Sequence, residues 1–281
     1  MPETHDRMHE PSERMLGFIA EAGLKPFWDR EGHALPLFSS LEEGLKVPVA
    51  TGESVQTGRL AATVDLWVAS EFERAGFEGL WPRLSEPRAI DPEVLRAVRA
   101  LPARDAAVGA RMVARAGTAD ANVMGSAYVK QVDVGLSSWL GGPELLVSTK
   151  TMSGSFGKNL ANRFEEAYGD VKNLRARYPL AAHGFLFMVH ASIARDRGAF
   201  DKAVHMLRQL SRGGDVYDAV CLLIAGWDSG TSHVLVPAAQ QELVPQELQP
   251  AHFFEELVRI ILANAPIDRH VRARELYPGL T

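Results

Sequence analysis

The chain has 281 residues, of which 46% are hydrophobic and 23% are charged, a balance typical of globular proteins. Its formal net charge of −5 excludes a global basic field, so any contact with nucleic acid has to come from a local patch. The single cysteine, Cys221, excludes an internal disulfide framework and a cysteine-rich zinc site.

The first third of the sequence predicts helices separated by irregular segments. One helix is expected over Ser12–Ala22, and apolar residues at helical spacing indicate another over Leu60–Phe77. The segment Asp91-Pro92-Glu93 is typical of a helix start, because an aspartate cap precedes a proline at the first helical position. A further helix is expected over Arg104–Ala116.

From residue 122 onward, short apolar runs alternate with turns and predict strands. Two strands, Ser126–Leu136 and Glu144–Met152, lie close enough in sequence to form a hairpin, and a long helix follows over Lys158–Arg177. The remaining elements are expected to be a strand, a helix, two strands and a helix, over Gly184–Ile193, Ala199–Leu210, Ala219–Gly226, His233–Val236 and Pro250–Asn264.

These elements predict a mixed α/β domain over residues 111–281, preceded by a mostly helical extension over residues 1–110. Residues 1–14 are polar and contain no apolar run of the kind that a secretory signal has. The sequence also contains no uninterrupted apolar stretch of about 18 residues, the length that a membrane-spanning helix needs. We therefore expect a cytoplasmic protein that does not enter a membrane.

The hairpin carries residues suited to metal-assisted hydrolysis. Strand alternation allows Asp133 on the first strand to approach Ser148 and Lys150 on the second. A carboxylate is a ligand that hard cations such as Mg²⁺ prefer, and a lysine in an interior strand is suited to proton transfer. The next helix is expected to supply a second acid, Glu165, with Glu166 as the alternate.

The order Asp133, Ser148-Thr149-Lys150 and Glu165 resembles the PD-(D/E)XK superfamily of nucleases. It is similar to the restriction endonucleases in which the second acid has moved from the strand to the next helix. The resemblance covers roughly residues 126–236 and includes the order strand, strand, helix, strand. Two features differ, because Val132 stands where the family has a proline and the interval from Lys150 to Glu165 is one residue longer.

The resemblance implies a restriction-endonuclease-like core, in which helices flank a central mixed sheet. It also implies an Mg²⁺-dependent endodeoxyribonuclease of the type II restriction class. Asp133 and Glu165 would bind the metal, Lys150 would orient or deprotonate the attacking water, and Ser148 would support the site through hydrogen bonds. A homodimer is expected if both strands of a palindrome are cut, because each site cuts one strand.

In the related endonucleases, the start of the helix after the second strand carries recognition residues. The resemblance therefore implies DNA contacts here, with phosphates held near the helix start and base edges read by amides and arginine. The candidates are Ser153, Ser155, Lys158, Asn159, Asn162 and Arg163. An acid on the first core helix sometimes joins the metal site in this superfamily, which adds Glu71 and Glu73 as candidates.

Other functions fit the same residues. A catalytically silent DNA-binding or assembly subunit would keep the fold without its chemistry. A nuclease effector of a multi-protein antiviral defence complex would need partner proteins. Without any catalytic role, Lys150 would be an edge-strand lysine that extends along apolar surface, and Glu165 and Glu166 would form a solvated helix face.

Overall fold

The structure is a computed structural model that describes residues 25–50, 58–82, 96–98, 100–116, 121–138, 141–212, 214, 216–228, 233–236 and 241–280. Within these ranges, no helix is both long enough and apolar enough to cross a membrane. The helix expected over Ser12–Ala22 and the helix start expected at Asp91 lie outside the described residues.

Most helices and strands lie where the apolar periodicity of the sequence predicts them, but a helix over Phe38–Ala50 forms in a segment expected to be irregular. The helices are α1 (Phe38–Ala50), α2 (Arg59–Arg74), α3 (Ala103–Ala116), α4 (Phe156–Arg175), α5 (Arg197–Ser211), α6 (Pro250–Asn264) and α7 (Val271–Leu276). The strands are β1 (Ala121–Met124), β2 (Val129–Val132), β3 (Val134–Ser138), β4 (Gly142–Met152), β5 (Ala182–His190), β6 (Ala219–Trp227) and β7 (Val234–Leu235). Short 3₁₀ turns occupy Ala191–Arg195, Gln246–Leu248 and Pro278–Leu280.

A five-stranded mixed sheet in the order β3-β4-β5-β6-β7 forms the centre of the fold. Strand β3 is antiparallel to β4, β4 to β6 are parallel, and β7 is antiparallel to β6. The parallel strands are joined by α4 and α5, as crossover connections between parallel strands require. The mixed α/β class with helices in the N-terminal region, which the sequence predicts, is confirmed.

The two faces of the sheet are covered by different helices. Helices α1, α2 and α6 pack on one face through a cluster that includes the buried rings of Trp67, Phe72 and Phe254. Helices α4 and α5 cover the other face, where Phe185 and Phe187 point from β5. Truncating one of these buried aromatic side chains to alanine is expected to destabilise the fold by about 3–5 kcal/mol.

Helices α1 and α2 lie before residue 110 but share one hydrophobic core with the sheet. Leu41 and Leu45 of α1 and Trp67 of α2 are fully buried in the same cluster as Val134 and Val147 of the β3–β4 hairpin. The division into an extension over 1–110 and a nuclease core over 111–281 stays a prediction.

The strand predicted over residues 126–136 is interrupted at Asp133, which is a correction to the sequence analysis. Strand β2 pairs with β1 in a separate two-stranded sheet, here called the β1–β2 ribbon (Ala121–Val132), whereas β3 pairs with β4. The chain therefore changes sheets at Asp133. Apolar alternation continues across this position, so the local pattern predicts one strand and carries no information about a change of partner.

Candidate functional site

Asp133 lies at the bend between the β1–β2 ribbon and the central sheet. The β3–β4 ladder begins with the pair Val134 and Val147, so β3 supplies no ladder partner to the next part of β4. The side chain of Asp133 takes that place, because its Oδ2 accepts a hydrogen bond of 2.8 Å from the backbone N–H of Thr149. A polar backbone group that the ladder leaves unpaired is thus satisfied by a carboxylate.

Asp65 reaches the same threonine from the other side of β4. It lies on α2, which packs against β3 and β4, and its Oδ1 accepts a hydrogen bond of 2.5 Å from the hydroxyl of Thr149. Thr149 therefore donates to two carboxylates, one through its hydroxyl and one through its backbone. This arrangement brings together acids that are far apart in sequence.

The two carboxylates are poorly solvated. Burial raises the pKa of Asp65 well above its ordinary value, and the negative charge of Asp133 raises it further, against the lowering effect of Thr149 and Lys150. Burial also raises the pKa of Asp133, although the Thr149 N–H and the charges of Lys150 and Lys130 oppose the shift. Two acids in this situation are stabilised by a shared proton or by a bound cation.

Lys150 lies on the face of β4 that α4 covers. Its Nζ donates a hydrogen bond of 3.1 Å to Oε1 of Glu166, and the other oxygen of Glu166 accepts one of 2.8 Å from Arg163. Burial acts to raise the pKa of Glu166, but the hydrogen bonds and charges of Lys150 and Arg163 outweigh it and lower that pKa. The lysine is thus oriented by an acid on the adjacent helix.

Of the two acids considered on α4, only Glu166 contacts Lys150. Glu165 is exposed, and among the described residues no hydrogen bond or ion pair joins it to Lys150 or Asp133. The helix rotates by about 100° per residue, so neighbouring positions point in different directions. Measured from the apolar stripe, the sequence favours Glu165, whereas the structure brings the alternate, Glu166, to the lysine.

Ser148 is buried two residues before Lys150 on β4 and belongs to a polar contact between the sheet and α4. It is hydrogen-bonded to the hydroxyl of Tyr217, which also donates a bond of 3.1 Å to the backbone oxygen of Ala167. Burial raises the pKa of Tyr217, so this hydroxyl stays protonated and keeps donating. The supporting role expected for Ser148 stays a prediction, but its partner is Tyr217.

A second lysine stands beside Asp133 on the ribbon side. The Nζ of Lys130 lies 2.5 Å from Oδ2 of Asp170 on α4. The hydroxyl of Tyr128 donates a hydrogen bond of 3.2 Å to the other carboxylate oxygen of Asp170. Burial opposes the charged lysine, yet the hydrogen bond and charge of Asp170 raise the pKa of Lys130. Charges of alternating sign therefore run from Glu166 through Lys150, Asp133 and Lys130 to Asp170.

The expected DNA-contacting residues lie where β4 ends and α4 begins. Ser153, Ser155, Asn162 and Arg163 are exposed, whereas Asn159 is half-buried. Lys158 lies in α4, but its side chain is outside the described residues. Ser155, the residue before the helix, has a φ of 55°, a left-handed conformation that few residues other than glycine adopt.

Sequence reasoning missed Asp65 and pointed to other acids of the same helix. Glu71 is fully buried and forms an ion pair of 2.5 Å with Arg74, while Glu73 is eight residues from Asp65, about 12 Å along the helix axis. The signal for Asp65 is its place between Val64 and Leu66, where a carboxylate interrupts the buried part of α2.

Within the part of the chain that the structure describes, no three acidic, histidine or cysteine side chains form a group that could hold a metal ion. Asp65 and Asp133, which meet at Thr149, are thus a pair of carboxylates and not part of a larger group of this kind. Mg²⁺ is commonly held by one or two carboxylates, with water and substrate phosphate completing its coordination. No protein-family model, curated protein or solved structure matches the chain.

Proposed function

We propose that the protein is an Mg²⁺-dependent endonuclease that hydrolyses DNA phosphodiester bonds in the cytoplasm, as a type II restriction enzyme does. The observation that carries the proposal is the meeting of Asp65 and Asp133 at Thr149, next to Lys150. Two carboxylates that meet at Thr149, from α2 and from the bend before β3, and the lysine next to Thr149 on β4 are the kind of groups that metal-assisted phosphodiester hydrolysis needs.

The two aspartates fit a divalent cation. Burial destabilises the charged form of each carboxylate, and the charge of Asp133 destabilises that of Asp65 further. A cation held by both would offset this electrostatic destabilisation. When bound, Mg²⁺ supplies a Lewis acid that stabilises the charge developing on the phosphate. In this assignment Asp65 takes the place in the metal site that the sequence gives to Glu165.

Lys150 is proposed to act on the attacking water. Its Nζ is held by Glu166, and its positive charge lowers the pKa of Asp133 and of Asp65, which supports a role of the ammonium group at the proposed metal site. From there Lys150 orients the water toward the phosphate and accepts or relays its proton. Glu166 is a positioning residue, because it contacts Lys150 and not the reacting atoms.

The exposed residues around the start of α4 are proposed to bind DNA. Ser153 and Ser155 would contact the phosphate backbone, and Asn162 and Arg163 have the donor groups that read base edges. Because one site cuts one strand, a homodimer would place two sites on a palindromic duplex. Restriction of foreign DNA would make the protein part of an antiviral defence.

A silent DNA-binding or assembly subunit is the second candidate, and one observation favours it. Among the described residues only two carboxylates approach the proposed metal position, with no group of three. A silent subunit of a defence complex would bind DNA without Mg²⁺ and would tolerate loss of Asp133. A nuclease effector would instead cleave once its partner proteins were present.

The test is a cleavage assay on mixed plasmid and genomic DNA, with Mg²⁺ or with EDTA, for wild type and Lys150→Ala. Discrete fragments that need Mg²⁺ and disappear in Lys150→Ala support the nuclease. Lys202→Ala, which changes an exposed lysine on α5, is the matched control and should cleave like wild type. Full cleavage by Lys150→Ala would refute the assigned role, and DNA binding without cleavage would favour the silent subunit.

A further inference from the structure

The outer face of the β1–β2 ribbon carries two cross-strand pairs. Asn122 lies opposite Gln131, and Met124 lies opposite Val129. All four side chains are exposed, and the two apolar ones have 50% and 52% of their surface in contact with solvent. The face therefore presents amides and apolar groups side by side and has no charged residue.

The opposite face of the ribbon is anchored. Ala121, Val123 and Val132 are buried in a cluster with Leu146 of β4 and Leu174 of α4. In addition, Asn173 of α4 holds the ribbon turn, as its Oδ1 accepts from two backbone N–H groups of the turn and its Nδ2 donates to a carbonyl there. The outer face is thus a fixed surface rather than a loose hairpin.

The amides of Asn122 and Gln131 have no hydrogen-bond partner among the residues that the structure describes. Each amide offers two N–H donors and one acceptor oxygen, and in the ribbon the two side chains lie on directly opposed residues. Opposed residues in an antiparallel pair are about 5 Å apart, whereas adjacent base pairs are about 3.4 Å apart, a difference that two flexible amide side chains can span. Asparagine and glutamine pair through two hydrogen bonds with the major-groove edge of adenine.

The ribbon is continuous with the proposed cleavage site. Gln131 is two residues from Asp133, and an extended chain rises about 3.3 Å per residue, so the backbones of these two residues are at most about 7 Å apart. DNA whose phosphate reaches Asp133 would therefore have base pairs within reach of the ribbon. The major groove, about 12 Å wide, admits a two-stranded ribbon.

Basic residues lie on the segment of α4 that anchors the ribbon. The segment of α4 that holds the ribbon turn contains Lys172 and Arg175, and Arg177 follows the helix. Although Arg175 is paired with Asp218, the stretch from residue 171 to 178 has three basic residues and no acid. The uncharged ribbon face is suited to contact bases, and the basic segment is suited to contact phosphates. Together they complement duplex DNA, whose charge lies on its backbone.

We propose that the β1–β2 ribbon enters the major groove of double-stranded DNA and that Asn122 and Gln131 read adenines on adjacent base pairs. The proposal rests on the proposed nuclease function for its DNA partner. It adds a second reading element to the start of α4, on the other side of the cleavage site. Met124 and Val129 would contact thymine methyl groups in the same groove.

The test is a selection of bound sites from short DNA duplexes with a randomised central segment, in Ca²⁺ instead of Mg²⁺. Wild type, Asn122→Ala/Gln131→Ala, Gln131→Glu and the control Gln246→Ala, an exposed amide on a distant 3₁₀ turn, are compared. We expect wild type and Gln246→Ala to enrich the same sites, and the double variant to bind them roughly ten-fold or more weakly. Gln131→Glu should change one preferred adenine to cytosine, because a carboxylate only accepts hydrogen bonds.

Enrichment of the wild-type sites with wild-type affinity by both ribbon variants would overturn the proposal, as would a wild-type protein that enriches no site. Analytical sedimentation of the same variants measures their oligomeric state and so tests whether the face binds a second copy of the chain instead of DNA. If the double variant changed from dimer to monomer while its DNA selection stayed the same, the face would be a subunit interface. Incubating the selected duplexes with Mg²⁺ tests the nuclease separately, since selective binding without cleavage would refute the nuclease and leave the ribbon as a DNA reader.

Discussion

Asp65 and Asp133 approach the same threonine from two directions, one through its hydroxyl at 2.5 Å and one through its backbone N–H at 2.8 Å. They come from a helix on one face of the sheet and from the bend that joins two sheets. Two poorly solvated acids at one threonine destabilise the metal-free protein, so its stability should respond to removal of either charge and to divalent cations.

Asp65→Asn is expected to stabilise the metal-free protein and to remove its response to Mg²⁺. The amide oxygen still accepts the hydrogen bond from Thr149, while the repulsion with Asp133 disappears, which should add roughly 1 kcal/mol to the free energy of unfolding. Thermal denaturation in EDTA and in increasing Mg²⁺ measures both effects. Glu242→Gln, at an exposed acid, should show the wild-type rise in Tm with Mg²⁺. An unchanged Mg²⁺ response in Asp65→Asn would contradict the metal site.

Glu166→Gln and Glu165→Gln separate the two acids of α4. We expect Glu166→Gln to reduce the rate of Mg²⁺-dependent cleavage by roughly ten-fold or more, because the charge that orients Lys150 is lost. Glu165→Gln should leave the rate within about two-fold of wild type, since the side chain is exposed. Cleavage rates at saturating DNA decide the matter, and the opposite ranking would return the functional role to Glu165.

Glu71→Gln tests the buried ion pair of α2 through the pH dependence of stability. Burial raises the pKa of Glu71 to about 7 even though Arg74 lowers it. The folded state thus binds the proton more tightly than the unfolded state, and this stabilisation, present below about pH 4.5, is lost as pH rises through 7.

Wild type should therefore lose on the order of 2 kcal/mol more than Glu71→Gln between pH 4.5 and pH 8. Urea denaturation of both proteins at a series of pH values gives the difference, in which the other titrating groups cancel. Parallel stability curves would mean that Glu71 keeps an ordinary pKa in the fold.

Asn173→Ala is expected to loosen the β1–β2 ribbon turn while leaving the central sheet intact. The side chain makes three hydrogen bonds to the backbone of Ala127 and Tyr128, and its loss should cost roughly 1–3 kcal/mol. Hydrogen exchange should become faster in residues 121–132 but not in β5. Asn173→Asp keeps the two acceptor contacts and should protect the turn better than alanine does. Equal exchange in wild type and Asn173→Ala would show that the buried apolar cluster alone holds the ribbon.

Periodicity in the sequence was sufficient to predict most elements, because helical and strand patterns are local. The Pro250–Asn264 helix has the same bounds in the structure, and the last part of the strand predicted over 126–136 pairs antiparallel with β4, as the predicted hairpin requires. The break at Asp133 could not be predicted, since a change of partner strand depends on contacts with α4 and Trp81 that are distant in sequence.

In the candidate site, too, some residues could be predicted from local patterns and others depend on contacts that are distant in sequence. Asp133 and Lys150 stand out locally, as charged residues in strand patterns, and the structure places them near each other. Asp65 depends on how α2 packs against β4, and no spacing rule links residue 65 to residue 133. To choose between the neighbours Glu165 and Glu166, the orientation of α4 about its own axis has to be known more finely than the turn from one residue to the next. An apolar stripe does not determine the orientation that finely.

The packing of α2 has a consequence for how the chain can be divided. This helix supplies Trp67 and Phe72 to the main core and Asp65 to the candidate site. A fragment that begins at residue 111 would lack both a wall of its interior and one of the two proposed metal ligands. The division at residue 110 stays a prediction, and a fragment designed from this structure should include α2 to keep both the core wall and Asp65.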